Sequence, residues 1–296
     1  MKRIILFILT NLAIMAVLMV VAQILINVLG IQQSSMLGML LFSALFGMGG
    51  SFLSLAMSKW IAKRSTGARV IEHPSNAMEQ WLVNTVSKQA KAAGIGRPEV
   101  ALYDSPDMNA FATGANKNKA LVAVSSELLR TLSKEEAEAV LAHEVSHIAN
   151  GDMVTLALIQ GVLNTFVFVL ARMIAGVVDL FLSGDEDDEE ATGTEGGLTY
   201  FIVSLIAQIL LGMLASIVVM WFSRKREFRA DAGGAALSSR QSMISALERL
   251  KQSAGPSQLP SEVAAFGLSS STNGFMHLFS THPPLEERIN ALKQAR

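Results

Sequence analysis

Positions 143–147 read HEVSH, a run that combines two imidazoles and a carboxylate. On a helix, residues four apart lie on one face about one turn apart, so His143 and His147 can bind the same zinc ion. Glu144 is offset around the helix and can reach a zinc-bound water as a general base. The spacing therefore predicts a hydrolytic centre with one zinc ion per chain. The alternative is that the three residues share a helix by chance.

A catalytic zinc ion also needs a third protein ligand and one open position. The extended metzincin pattern would place a third histidine at position 153, where Met153 stands. The best candidate is Glu227, which would complete a site of two histidines and one glutamate. Asp231, four residues later, would then accept a hydrogen bond from a ligand imidazole and fix its tautomer. The alternative is a solvated charged turn in which both acids pair with nearby arginines.

Composition limits both the class of protein and the kind of metal site. The chain has 296 residues, of which 51% are hydrophobic and 17% charged. Its mean hydropathy of +0.40 is too high for an ordinary soluble domain of this length. The formal net charge of -1 gives no sign of a nucleic-acid partner. Because the chain has five histidines and no cysteine, any metal must be bound by histidine and carboxylate side chains.

The element that carries HEVSH has clear helix signals at both ends. Ser133 begins it, and Glu136 three positions later completes a capping box. Asn150 and Gly151 indicate where it ends. Apolar residues at helical spacing predict another helix over residues 76–93. Residues 99–104 and 120–125 are typical of strands, with a possible strand and turn between them.

Four apolar stretches are candidates for membrane-spanning helices. They cover residues 4–29, 36–57, 153–182 and 198–222, and each can cross a hydrocarbon core of about 30 Å. The last two are joined by an acidic, Gly-rich loop at residues 183–197. Arg172 and Asp179 make the third stretch less certain, so a hairpin that does not fully span stays possible. The chain is therefore predicted to be embedded in a lipid bilayer.

Basic residues predict how the segments are oriented. The clusters are Lys2 and Arg3, then Lys59, Lys63 and Arg64, then Arg224, Lys225, Arg226 and Arg229. With four spans, all of these clusters fall on one side, which the positive-inside rule makes the cytoplasm. HEVSH lies just before the third apolar stretch and Glu227 just after the fourth. An antiparallel pair of helices would bring those two ends together.

Four motifs together identify the family that the chain resembles. HEVSH, EFRAD at 227–231, NAFATG at 109–114 and STHPPLEERI at 280–289 look like those of the HtpX family of bacterial membrane zinc endopeptidases. This family is related to the CAAX prenyl endoproteases, and the resemblance covers essentially the whole chain. It implies that His143, His147 and Glu227 bind zinc and that Glu144 is the catalytic base. It also implies a substrate-binding role for Asn109 and oxyanion stabilisation by His282.

The resemblance further implies a biological setting in the inner membrane of a bacterium. There the protein would cleave misfolded or damaged membrane proteins, often under stress. The alternatives are a CAAX-type processing protease, which would want more spans, and a non-catalytic membrane scaffold or chaperone stapled by zinc. Substrate identity and oligomeric state do not follow from the sequence.

We therefore expect a mainly α membrane protein with four transmembrane helices and a zincin-like α+β cytoplasmic metalloprotease domain. Residues 1–64 would form two membrane helices and a linker, and 65–152 the catalytic region with the HEVSH helix. Residues 153–222 would form two further membrane segments, and 223–296 the rest of the catalytic domain.

Overall fold

The computed structural model describes residues 36–183, 197–253 and 282–295, with scattered positions between 16 and 30. The chain divides into two compact units. The first contains the described parts of residues 54–156 and 220–296, and the second those of residues 2–53 and 157–219. Both predicted polar regions thus fall in the first unit, and most of the apolar sequence falls in the second.

The described chain is mainly helical, with one small sheet. The helices are α1 (Met36–Ala44), a π-helical turn (Leu45–Gly49), α2 (Gly50–Thr66), α3 (Ala77–Ala92), α4 (Ser126–Thr131), α5 (Lys134–Asn150), α6 (Asp152–Ser183), α7 (Leu198–Leu237), α8 (Arg240–Gln252) and α9 (Leu285–Gln294). The strands are β1 (Arg69–Val70), β2 (Glu99–Tyr103), β3 (Ala110–Thr113) and β4 (Leu121–Ser125). The prediction of a mainly helical protein with a small sheet is confirmed.

The sheet has the strand order β1-β2-β4-β3. Strands β2 and β4 are parallel, whereas β1 and β3 pair antiparallel with β2 and β4 respectively. The two predicted strands and the possible strand between them are all present. Strand β4 is buried along its whole length, as expected for a central strand covered on both faces. Strand β3 lies at the edge and contacts α5, so the sheet supports the helix that carries HEVSH.

Helix α5 has the predicted ends. The Ser133 side chain accepts from the backbone of Glu136, and the Glu136 side chain accepts from the backbone of Ser133, forming the capping box. Gly151 ends the helix in the left-handed conformation, with φ of 69°, which glycine adopts without a Cβ penalty. The helix packs against α3, α8 and β3, and its residues from Ala139 to Ile148 are buried. A helix with this many packed neighbours provides a rigid platform for its histidines.

Three described helices are long and apolar enough to cross a membrane. They are Met36–Thr66, Asp152–Leu182 and Leu198–Leu237. Large apolar side chains on them are exposed, among them Phe166, Phe201 and Leu214, as lipid-facing residues would be. Most of the predicted first span, residues 4–29, lies outside the described residues, as does most of the acidic loop at 183–197.

Small residues allow close packing within the second unit. A methyl group added at Gly47 would overlap the backbone of Thr165, and one added at Gly161 would meet Met48. Small residues of this kind let apolar helices approach each other where lipid gives no hydrophobic driving force. The Arg172 guanidinium lies 4.3 Å from the ring centroid of Phe42, so this charge, which made the third span uncertain, contacts an aromatic face.

Candidate metal centre

Two helices far apart in sequence bring three ligand-type side chains together. Helix α5 supplies His143 and His147, and the C-terminal part of α7 supplies Glu227. Nε2 of His143 lies 3.5 Å from Glu227 Oε2, and Nε2 of His147 lies 3.3 Å from Glu227 Oε1. The two Nε2 atoms are 3.1 Å apart. The three residues therefore form one compact, buried group of potential metal ligands.

These separations fit a tetrahedral zinc ion. Bonds of about 2.0–2.1 Å at tetrahedral angles place ligand atoms about 3.3 Å from one another. The three observed separations of 3.1, 3.3 and 3.5 Å bracket that value. Both imidazoles also present Nε2 towards the same point, with their rings at 89° to each other. The donor geometry thus suits an ion bound between the three side chains.

The electrostatics of the group also favour a cation. Four buried carboxylates belong to Glu144, Asp152, Glu227 and Asp231, while Arg288 is the one buried arginine of the described chain. Among the described residues, no donor meets either Glu227 oxygen with hydrogen-bond geometry, although both atoms are inaccessible to solvent. A buried carboxylate without such partners is costly unless a cation compensates it. The residues present therefore fit a divalent metal ion.

Each candidate ligand histidine is oriented by a carboxylate on its other nitrogen. His143 Nδ1 lies 2.9 Å from Asp231 Oδ1, and His147 Nδ1 lies 2.6 Å from Asp152 Oδ2. A proton on Nδ1 would be donated to each carboxylate, which leaves the Nε2 lone pair for a metal ion. The structure thus places Asp231 beside Nδ1 of His143 and Asp152 beside Nδ1 of His147.

Two arginines fix those two carboxylates, and they differ in burial. Arg288 donates to both oxygens of Asp231, at 2.8 Å from Nε and 2.6 Å from Nη2. Its guanidinium is fully buried, and its Nη1 also lies 3.5 Å from Glu227 Oε2. Arg229 donates to Asp152 Oδ1 at 2.6 Å, but its side chain is 59% exposed. The same arrangement of arginine, aspartate and histidine therefore occurs twice, once with a buried arginine and once with a largely exposed one.

The surroundings shift the ionisation of the residues on α5. Burial opposes the charged form of His143, but the adjacent carboxylates of Asp231 and Glu227 outweigh it and raise the pKa of this imidazole to about 9. The carboxylates that favour a proton at His143 favour a divalent cation for the same reason. Burial raises the pKa of Glu144, although the neighbouring histidines act against this. A carboxylate with a raised pKa is a stronger base than an ordinary exposed one.

The remaining predicted residues lie in different places. His282 is buried in the first unit, with Nδ1 2.8 Å from Glu227 Oε2. Burial lowers the pKa of His282, which favours the neutral imidazole. Asn109 is buried directly before β3, where its backbone N–H donates to Ser125 Oγ at 3.0 Å and its carbonyl accepts from the Ser125 N–H at 2.9 Å. The structure thus joins His282 to the metal group and fixes the backbone at Asn109.

Two glycines of α7 allow it to approach α5 closely. A Cβ added at Gly234 would lie 3.1 Å from both the N and the Cα of His143. A Cβ added at Gly233 would overlap Ser146 Oγ and lie 3.0 Å from Ser146 Cβ. No other residue type leaves this space, so the run DAGGA directly sets the distance between the helix of Glu227 and the helix of the histidines.

We expect Gly234→Ala to weaken the metal group, because the added methyl would lie 3.1 Å from the backbone N and Cα of His143 and would push the two helices apart. Overpacking of this kind costs typically about 1–3 kcal/mol of folding stability. Gly212→Ala is the matched control, because it is the same change in α7 at a position with no described atom within 4 Å of the added Cβ. Thermal unfolding and metal content of the two variants provide the measurement. Equal unfolding temperatures for both would show that the contact does not set the helix separation.

Sequence reasoning did not find Asp152 or Arg288. Asp152 follows Gly151, and the left-handed turn at that glycine folds the chain back so that Asp152 reaches His147. An acid placed directly after the predicted helix end was the available signal. Arg288 lies in the STHPPLEERI motif, 57 positions after Asp231, and no local pattern connects the two.

Comparison with known proteins gives a consistent result. The model of Peptidase family M48 matches residues 76–296. The chain is similar to Protease HtpX of Tolumonas auensis, with 56% identity over 296 residues and 100% of both chains covered. It is 59% identical over 299 residues to the Protease HtpX homolog of Nitrosomonas eutropha, again with 100% of both covered. Protease HtpX of Aeromonas hydrophila is 59% identical over 293 residues, which cover 99% of this chain and all of that one.

One solved structure extends the comparison to the fold. The chain is similar to the crystal structure of S. mikatae Ste24p, with a TM-score of 0.67 and 18% sequence identity. The match covers 98% of this chain and 66% of that chain. At this identity the likeness concerns the fold alone.

Proposed function

Because the chain belongs to peptidase family M48 and matches HtpX proteases along its whole length, we propose that His143, His147 and Glu227 bind one zinc ion and that Glu144 is the general base for peptide-bond hydrolysis. The chain is a membrane-bound metalloprotease. The observation that carries the assignment of ligands is the distance of 3.1 Å between the two Nε2 atoms, which lie 3.5 Å (His143) and 3.3 Å (His147) from the two carboxylate oxygens of Glu227.

The chemistry follows from what these residues can do. Zinc bound by these three residues would supply Lewis acidity, which would lower the pKa of water to about 7 and polarise the scissile carbonyl. Glu144 takes a proton from the attacking water and then passes it to the leaving amine. Asp231 and Asp152 hold the two imidazoles in the tautomer that offers Nε2. Arg288 keeps Asp231 in place through two hydrogen bonds.

Asn109 and His282 are assigned to substrate handling. Asn109 precedes the edge strand β3, so a substrate chain near it could add as a further strand by main-chain hydrogen bonds. His282 lies beside Glu227 and would donate a hydrogen bond to the oxyanion of the tetrahedral intermediate. Its contact with Glu227 would also hold that carboxylate towards the two histidines.

The substrates we propose are unfolded or damaged membrane proteins, cleaved internally. The protein would lie in the inner membrane of a bacterium with four spans and with its metal centre facing the cytoplasm. The presence of residues 54–156 and 220–296 in one compact unit supports this topology, because the chain between them must leave the unit and return. The buried, pKa-shifted Glu144 favours an enzyme over a scaffold stapled by zinc, since a structural site needs no base.

Removal and return of metal tests the proposed enzyme. We expect a chelator to abolish cleavage of an unfolded, casein-like substrate by the purified full-length protein, and we expect about one equivalent of zinc per chain to restore it. Magnesium should not restore activity, because it prefers octahedral sites of oxygen ligands. Cleavage that persists after the zinc has been removed would contradict the proposal.

A further inference from the structure

Helix α7 is uninterrupted and carries both an exposed apolar surface and Glu227, a proposed zinc ligand. Trp221 and Phe222, which are 51% and 40% exposed, are the last exposed large apolar residues along its described length. After Ser223, three basic residues follow at positions 224–226. Tryptophan followed by Lys and Arg at the end of an apolar span marks the level where membrane meets water.

Further contacts within the same compact unit indicate the same level for the membrane–water interface. The Lys225 ammonium lies 5.6 Å from the ring centroid of Trp221, as expected for a lysine beside an interfacial aromatic. On α2, Trp60 is 50% exposed and stands next to Lys59. Lys59 and Lys63 both contact Glu99, at 2.6 and 2.5 Å. A second helix of this unit therefore ends its apolar surface with the same combination of tryptophan and lysine.

The continuous helix fixes the distance from this level to the metal group. Glu227 follows Trp221 by six positions, and both lie in Leu198–Leu237. At a rise of 1.5 Å per residue, six positions correspond to about 9 Å along the axis. A tilt of about 20° from the membrane normal shortens this distance only slightly. The metal group thus lies within two helical turns of the interface, on a rigid element.

We propose that this centre acts on the juxtamembrane segments of membrane-anchored polypeptides, and that the scissile bond lies a few residues outside the substrate's own span. The proposal rests on the proposed function and narrows its substrate class. An extended chain advances about 3.3–3.6 Å per residue, so about three residues are the minimum needed to cover the distance. Longer separations remain reachable, but each lowers the effective concentration of the bond at the metal group.

A series of single-span substrates tests the proposal with the full-length protein in lipid vesicles. Each substrate carries the same unfolded cassette after a Gly-Ser spacer of about 5, 20 or 80 residues, and the initial cleavage rate is measured. A fourth substrate has the cassette directly after the span, and its cut sites are mapped by mass spectrometry. The cassette as a free peptide and Glu144→Gln as the enzyme provide the controls.

We expect the rate to fall about eightfold for each fourfold increase in spacer length, because the effective concentration falls with the −3/2 power of length. In the substrate whose cassette follows the span directly, the first two peptide bonds after the span should remain uncut. Rates that are equal or rise with spacer length, or cuts at those first two bonds, would overturn the juxtamembrane proposal while the protease assignment stands. Failure to cleave any substrate, including the free peptide, would overturn both.

Discussion

Glu144→Gln is expected to lower the kcat/KM for an unfolded protein substrate by about 10²–10⁴-fold, because the amide cannot accept the proton of the attacking water. The side chain stays the same size, so the packing of α5 should be preserved. Glu144 is only 2% exposed and belongs to none of the three proposed metal–ligand bonds. Metal content and unfolding temperature should therefore match those of the wild type.

Glu135→Gln is the matched control for this variant, since it makes the same change in the exposed first turn of the same helix. It should retain full activity and metal content. Activity and metal content together distinguish loss of the general base from loss of the metal ion. A Glu144→Gln protein that cleaves at the wild-type rate would show that another residue is the base.

Arg288→Met is expected to destabilise the fold by about 3–5 kcal/mol, which is typical when one partner of a buried ion pair is removed. The substitution would leave Asp231 without its two-bond partner and would increase the uncompensated negative charge around Glu227. Because Asp231 orients His143, zinc affinity should fall as well, by about 10–100-fold. Unfolding in detergent and a zinc titration provide the two readouts.

Arg229→Met is the control, because Arg229 makes the equivalent bond to Asp152 with an exposed guanidinium. Asp152 is buried, but it keeps its contact with His147 and Arg229 is largely exposed, so this variant should lose less stability than Arg288→Met. Arg288→Lys, which keeps the charge but not the two parallel hydrogen bonds, should fall between the two. Equal effects of Arg288→Met and Arg229→Met would show that burial of Arg288 is not what matters.

Local signals were sufficient for the elements around the site. The capping box at Ser133 and the glycine at position 151 predicted both ends of α5, because the residues concerned satisfy the free backbone groups of that helix themselves. Strands β2 and β4 were readable from short apolar runs. Strand β1 has two residues and forms by pairing with β2, so its sequence is too short to show a strand pattern.

Hydropathy marked where α7 leaves the apolar region but not where the helix ends. The fourth apolar stretch stops at residue 222, whereas the helix continues to Leu237. Alanine, arginine and glutamate, which are good helix formers, continue it beyond that point. A change of polarity therefore marks a change of environment within one helix, and this is what places Glu227 and Asp231 on a rigid continuation of a membrane helix.

The candidate site was readable in part. HEVSH is a local pattern, and an antiparallel pair of membrane helices gave a physical reason to look for a third ligand near Glu227. The partners Asp152 and Arg288 act through tertiary contacts, and their roles depend on the turn at Gly151 and on the docking of α9. Tertiary contacts of this kind leave no repeating pattern in the sequence, so they become visible only in the folded structure.

Metal content of Glu227→Ala most directly tests the claim that α5 and α7 hold one metal ion between them. The wild type should contain about one zinc ion per chain, and Glu227→Ala should contain little, since two imidazoles alone leave a catalytic site one ligand short. Glu248→Ala, which removes an exposed carboxylate paired with Lys293, should keep the full amount. A Glu227→Ala protein that retains wild-type zinc content and affinity would contradict the account.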